Sequence, residues 1–317
     1  MRRHVWRPFA FREEIDPGIL AGFRKLGARF EAELTPETEA VVTLLNVKID
    51  AAFFERAPGV KVVSLVAVGY DNTDVPEATR RGVLITNTPD VLTDATADIA
   101  WGLLLAAARR FGEGERMVRE GRFRKWDFYM LRGTDIRGKT LGIVGGGRIG
   151  QAVARRAAGW DMPILYTSRS PKPDFERVSG ARRVGLRTLL RSSDFVSIHV
   201  PLSPATRHFI GAKELALMKP GAVLVNTARG AVIDEAALVR ALRSGGIRAA
   251  GLDVYEKEPE VHPGLLELDN AFLLPHLGSA TDGTRRAMVE TALRNCLAAL
   301  QGKSPPNCIN ARALGLT

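Results

Sequence analysis

Three segments of this chain each end an apolar run with a side chain able to bind or move charge: Arg229 in VLVNTARG, Asp253 and Glu258 in AAGLDVYEKEP, and His276 in AFLLPH. If the runs are parallel strands, the groups gather at one rim, because ligands bind beyond the carboxyl ends of such strands. Guanidinium, carboxylate and imidazole together suit hydride transfer to a carbonyl. Arg229 would bind an α-carboxylate and polarise the adjacent C=O, and protonated His276 would give a proton to the oxygen as hydride arrives. Glu258 beside His276 favours the imidazolium. Of the other histidines, His4 lies in a terminal strand and His208 and His262 lie in polar loops without a nearby partner, so all three read as structural. His199, in SIHVPLSPAT, ends another strand and reads as lining or orienting a cofactor crevice.

A hydride needs a donor, and KTLGIVGGGRIGQAVARR supplies a strand, a glycine turn and a helix to hold one. Gly145 permits the tight turn, Gly147 lets the backbone approach a pyrophosphate, and Gly150 lets helix and strand pack closely. The helix N-terminus then offers free N–H groups to the phosphates. The acid that usually holds the ribose hydroxyls should lie about 20 residues on. In ILYTSRSPKP that place is taken by Ser168 and Arg169, with Lys172 close behind. A carboxylate there would repel a 2′-phosphate, whereas a guanidinium can pair with it and a serine can donate to it. The reading is NADP, with NADPH preferred and NAD possible; no metal site is indicated.

The elements that must position these groups alternate along the whole chain. Strands are expected at HVWRPFA, VVTLL, KVVSLVA and VLITNT, then at KTLGIVG, PILYTS, DFVSIHV, AVLVNTA, AAGLDV and AFLLPH. Helical patterns such as DPGILAGFRKLG and DAAFFERA separate them, which predicts α/β architecture with parallel sheets covered on both faces. LTDATADIAWGLLLAAARRF reads as a long buried helix closed by Arg109 and Arg110, followed by a polar and aromatic connecting arm, GEGERMVREGRFRKWDFYMLRGTDIRG. A last helix, TRRAMVETALRNCLAALQG, could cross back to the first domain.

A length of 317 residues implies two domains. Net charge is +10, but the arginines are scattered and many close helices, which argues for anionic small molecules and against nucleic acid. No apolar run approaches the roughly 20 residues needed to span a bilayer, and two unpaired cysteines point to a cytoplasmic protein.

In combination, VGYDNTDV, GVLITNTPDVLTDATADIAWGLLLAAARR, LGIVGGGRIGQAVARR, NTARGAVIDEAALVRAL, GLDVYEKEP and LLPHLGSAT resemble the D-isomer-specific 2-hydroxyacid dehydrogenase family, most closely its glyoxylate/hydroxypyruvate reductase branch. The resemblance implies two doubly wound parallel-sheet domains: a Rossmann-type nucleotide domain (93–283) inserted into a smaller flavodoxin-like substrate domain (1–92 plus 284–317). It implies the same catalytic set, Arg229, Glu258 and His276, and a substrate carboxylate held by backbone N–H groups near Val68 and Gly69, with Arg229 and His276 also touching substrate. Cofactor contacts would include Thr96, Arg148, Ile149, Pro201, Thr206, Thr227, Ala228, Asp253 and Ser279 beside the glycines, Ser168 and Arg169. The family pairs as homodimers through its nucleotide domains and the arm.

Two departures stand out. Only TPETEA separates ARFEAEL from VVTLL, where the family has a further loop and helix, and Asn46-Val47 stands where Thr-Asp is expected. The reaction implied is NADPH-dependent reduction of glyoxylate and hydroxypyruvate to glycolate and D-glycerate. Another D-2-hydroxyacid dehydrogenase, such as D-3-phosphoglycerate dehydrogenase, and a cofactor-sensing, corepressor-like binding protein stay open as alternatives.

Overall fold

The computed structural model describes residues 3–12 and 14–316. Met1, Arg2, Glu13 and Thr317, all within the segments expected to form the small domain, lie outside the described residues. The chain divides into two compact units, Met1–Leu92 with Ala280–Thr317, and Thr93–Ser279.

The first unit holds strands β1 (Arg3–Trp6), β2 (Ala28–Glu31), β3 (Thr38–Thr43), β4 (Val62–Leu65) and β5 (Leu84–Thr86). All are parallel, in the order β2-β1-β3-β4-β5, the flavodoxin-like order. Nearly every residue of β3 and all of β4 are buried, as expected of strands covered on both faces. One face is covered by helix Asp282–Leu300, which begins at a Thr281 cap and packs against β3 and β4. Helix Pro17–Lys25 lies beside it, started by the Asp16 carboxylate accepting from Gly18 N and by Pro17 in the first turn.

The strands differ from expectation in one instructive place. β1 stops at Trp6, and β3 begins at Thr38, inside TPETEA, so residues 32–37 alone carry the chain from β2 across β1. Parallel crossovers usually take about a dozen residues and a helix. This one is short because Glu31 lies level with Trp6 and Thr38 level with His4, so the chain drops back little. Trp6 Nε1 donates to Ala32 O at 2.9 Å, Thr35 N to Thr38 Oγ1 at 3.0 Å, and Gly59 packs where a Cβ would sit 2.8 Å from Pro36 O. A cavity of about 340 Å³ beside Trp6, Leu34, Val47 and Phe53 is left on that side.

The second unit holds β6 (Leu141–Val144), β7 (Ile164–Thr167), β8 (Arg182–Arg183), β9 (Phe195–Ile198), β10 (Val223–Asn226), β11 (Ala249–Leu252) and β12 (Ala271–Leu273). Their order, β12-β11-β10-β9-β6-β7-β8, is the Rossmann order extended by one strand, with the topological switch between β6 and β9. The edge strands β2 and β8 carry too little apolar patterning to be read from sequence. Helix Thr93–Ala108 packs on β10 and β11, and Gly251 allows it close, since a Cβ there would meet Leu103 O at 2.9 Å. The helix stops at Ala108, so Arg109 and Arg110 do not close it; Arg110, at φ +57°, turns the chain into a second helix. That helix, Phe111–Arg119, occupies the first part of the expected arm and buries none of its residues. Among the described residues no helix is long and apolar enough to cross a membrane, and no group of three or more His, Cys, Asp or Glu is placed to hold a metal.

Candidate active site

The turn after β10 is shaped by buried Asn226, whose Nδ2 donates to Arg229 O at 2.9 Å while its Oδ1 accepts from Ala228 N at 3.0 Å. Arg229 leaves the turn in an extended conformation, Nη1 donating to Ala228 O at 2.8 Å. Gly230 then presses on the segment after β11, where a Cβ would fall 1.8 Å from the Tyr255 carbonyl carbon. Only glycine permits that approach. Asp234 caps the next helix, Glu235–Arg243, by accepting from Ala237 N.

His276 follows β12 in the left-handed region at φ +57°, its N–H donating to Asp253 O at 2.9 Å. Its Nδ1 lies 2.7 Å from Glu258 Oε2, and Glu258 Oε1 accepts from Tyr255 N at 2.9 Å. Burial pushes the Glu258 carboxyl upward, but the His276 hydrogen bond, the Tyr255 N–H and the charges of His276 and Arg229 outweigh it and hold the group below its ordinary value. Arginine, carboxylate and imidazole, predicted from three separate strand ends, are therefore electrostatically joined here.

Asp253 is buried, and its two oxygens accept from Leu277 N at 2.6 Å and Gly278 N at 2.7 Å. Burial raises its pKa, with these N–H groups pulling the other way. Thr96 Oγ1 donates to Gly278 O at 2.9 Å. Two expected cofactor contacts thus hold the Leu277–Ser279 segment that carries the half-buried Ser279 out of His276.

In the glycine turn, Gly145 stands at φ +111°, where a Cβ would lie 2.6 Å from His199 backbone atoms, and a Cβ on Gly150 would lie 2.1 Å from Gly145 O. Gly147 is different: a Cβ there meets nothing within 4 Å, so no protein neighbour demands glycine and the open side suits an approaching pyrophosphate. Arg148 is exposed at the start of helix Arg148–Arg156, and Ile149 is half-buried against the core. Thr227 Oγ1 is buried without a hydrogen bond, a polar group suited to a ligand. These features fit a bound dinucleotide. Thr206 is already engaged, donating to Pro201 O at 2.6 Å and accepting from Ser203 N at 2.8 Å, so it braces the loop that exposes Pro201. Ala228 is half-buried beside Arg229.

His199 N donates to Val144 O at 2.7 Å across the switch point, and its Nε2 meets Ser197 Oγ at 2.8 Å. One edge of the residue reaches solvent, yet burial lowers the imidazole to about 3, so it is neutral at pH 7. At the ribose end, Ser168 is half-buried with Oγ donating to Ser170 O at 2.9 Å, Arg169 is exposed, and Lys172 N donates to Tyr166 Oη at 2.9 Å. In the first unit, Val68 O accepts from Asn87 Nδ2 at 2.9 Å, and among the described residues the N–H groups of Val68 and Gly69 make no hydrogen bond.

The three structural histidines do have partners, contrary to the expectation for two of them. His208 Nε2 lies 2.7 Å from Glu256 Oε1, His262 Nδ1 accepts from Gly264 N as a helix cap, and His4 meets Glu31 at 2.8 Å. Glu256 and Glu31 are distant in sequence and give no local signal. Asn226 was also missed, although a polar residue ending an otherwise buried strand marks such a turn organiser.

The chain is similar to known proteins over most of its length. The family model described as "D-isomer specific 2-hydroxyacid dehydrogenase, NAD binding domain" matches residues 101–278. The chain is 51% identical to a glyoxylate reductase of Thermococcus litoralis over 89% of its length and 86% of the relative's, and 50% identical to that of Thermococcus onnurineus over 96% and 92%. It is similar to a crystal structure from Sinorhizobium meliloti, described as an NADPH-dependent glyoxylate/hydroxypyruvate reductase in complex with NADP and malonate, with TM-score 0.85 and 32% identity over 98% of this chain and 97% of that one.

Proposed function

The chain belongs to the D-isomer-specific 2-hydroxyacid dehydrogenase family and is an NAD(P)-dependent oxidoreductase of small keto or hydroxy acids; from that premise we propose that it reduces glyoxylate and hydroxypyruvate to glycolate and D-glycerate with NADPH. The observation that carries the reading is the 2.7 Å contact of His276 Nδ1 with Glu258 Oε2, an imidazole held by a carboxylate at the strand-end rim, with the Arg229 charge acting on the same carboxylate.

When bound, the nicotinamide supplies hydride to the carbonyl carbon. Arg229 pairs with the substrate carboxylate and draws density from the neighbouring C=O. With Nδ1–H committed to Glu258, Nε2–H of the imidazolium is the proton source for the oxygen, and Glu258 keeps the ring oriented once it is neutral. Val68 and Gly69 would give backbone N–H groups to the substrate carboxylate. Around the cofactor, Gly145, Gly147, Arg148, Ile149 and Gly150 would cradle the pyrophosphate, with Pro201, Thr206, Thr227, Ala228 and Ser279 lining it and Thr96 and Asp253 bracing it. Ser168 and Arg169 would meet a 2′-phosphate, which is the reason for preferring NADP. The relative described as NADPH-dependent supports that preference. We further infer a homodimer formed through the arm, whose aromatic residues are exposed, and a cytoplasmic location.

The test is steady-state oxidation of NADPH and NADH by the purified protein with glyoxylate, hydroxypyruvate and pyruvate. NADPH with glyoxylate and hydroxypyruvate should give the highest kcat/KM. Absence of turnover with every small 2-keto acid would sink the proposal.

A further inference from the structure

The loop at the ribose position is shaped from outside itself. β8, the two-residue edge strand, pairs with β7 so that Arg183 stands opposite Tyr166. From there the Arg183 guanidinium reaches past the end of β7. Its Nη2 donates to Ser168 O at 2.9 Å and Arg169 O at 3.1 Å, and its Nε to Ser168 O at 3.3 Å. The far end of the loop is fixed by Lys172 N donating to Tyr166 Oη at 2.9 Å, and that hydroxyl donates in turn to Glu176 Oε1 at 2.5 Å.

These contacts fix the direction of two peptide planes. In a trans peptide the C=O of one residue and the N–H of the next point opposite ways. Drawing the carbonyls of Ser168 and Arg169 toward Arg183 therefore turns the N–H groups of Arg169 and Ser170 to the other side. Among the described residues neither N–H donates a hydrogen bond. Successive free N–H groups beside a guanidinium make an anion-binding concavity. The carbonyl dipoles, which would repel an anion, are turned away and paired with positive charge.

We propose that Arg183 is a positioning residue for cofactor selectivity: by holding the Ser168 and Arg169 carbonyls it sets the Arg169 and Ser170 amides, with the Arg169 side chain, as the cradle of a 2′-phosphate. This rests on the NADPH reading and deepens it. Arg183 itself need not touch the phosphate. Its forked geometry matters, so lysine should not replace it.

The test uses the full-length protein and two nucleotide probes, adenosine 2′,5′-bisphosphate and 5′-AMP, titrated calorimetrically, with steady-state kinetics alongside. Wild type should bind the bisphosphate more tightly than 5′-AMP. Arg183→Ala and Arg183→Lys should both weaken the bisphosphate about tenfold, the equivalent of one charge-assisted hydrogen bond. The change should fall on KM for NADPH and not on kcat. Arg169→Ala should remove the discrimination more fully. If Arg169→Ala collapses the discrimination while both Arg183 variants keep it, the positioning role is wrong and the NADPH reading stands. If wild type does not distinguish the two probes, the NADPH reading falls and this inference falls with it. Full rescue by Arg183→Lys would also overturn it, since charge without the fork would then suffice.

Discussion

His276 holds its ring against Glu258 from a backbone conformation, φ +57°, that few non-glycine residues adopt, and the Asp253 carbonyl and carboxylate pin the segment on both sides of it. The site thus spends backbone freedom on keeping one imidazole in place. His276→Ala should lower kcat about 10²- to 10⁴-fold, the usual weight of a general acid, with dinucleotide binding retained when followed by fluorescence titration. Glu258→Gln separates orientation from charge. Without the carboxylate the ring keeps only a neutral partner for Nδ1, so kcat for keto-acid reduction should fall while KM for NADPH holds. Stability reports on the same carboxylate. Glu258 is held below its ordinary value, so its contribution to folding is present above the unfolded carboxyl range and lost as pH falls through the folded value. Acid unfolding followed by circular dichroism should therefore be less steep below about pH 4.5 in Glu258→Gln than in wild type. These three side chains were legible because charge at the end of an apolar run has few structural uses. Most of what holds them was not, since the Tyr255 N–H and the Asp253 clamp act through backbone geometry that residue types do not announce.

At the scale of elements, the glycines divide by what surrounds them. Gly230 lies against the Tyr255–Glu256 backbone, and Gly147 lies against nothing in the protein. Gly230→Ala should cost about 1–3 kcal/mol or more in denaturant unfolding, because backbone on both sides must move. Gly147→Ala should leave stability within about 0.5 kcal/mol yet raise the Kd for NADPH, since its new methyl group would point where the pyrophosphate approaches. Equal destabilisation by both would refute the assignment of Gly147 to the ligand. The strand-turn-helix around these glycines was readable because phosphate binding imposes a spacing. The interior strands were readable because double-sided burial demands continuous apolar runs, as in β4 and β10. β2 and β8 were not, being edge strands of four and two residues with charged side chains. The crossover at residues 32–37 is as short as the sequence suggested and holds no helix, while the level at which β3 starts beside β1 is visible only in the pairing register.

Over the whole molecule, the strongest unanswered exposure belongs to the arm. Trp126, Phe128 and Tyr129 are each about two-thirds exposed, at 68%, 70% and 66%, and Phe128 packs edge-on to both neighbours, 6.2 Å from Trp126 and 5.1 Å from Tyr129. Phe111, Val118 and Phe123 in the same stretch are also at least half exposed or close to it. Contiguous apolar surface of this kind marks association in soluble proteins, and aromatic side chains carry much of the energy where such surfaces meet. The composition of the arm foreshadowed a covering role but not its helix Phe111–Arg119, which has two glycines in its first turn and a half and no fully buried residue. If the arm joins two copies, sedimentation equilibrium of wild type should give twice the chain mass at micromolar concentration. The double substitution Trp126→Ser, Phe128→Ser should weaken association by at least 2 kcal/mol, on the order of a single interface hot spot, and shift the population toward monomer. Because the glycine turn, Ser168 and Arg169 lie outside the arm, the monomer should still bind NADPH. A wild-type protein that sediments as a monomer, or a variant that remains as tightly associated as wild type, would remove the arm from the interface.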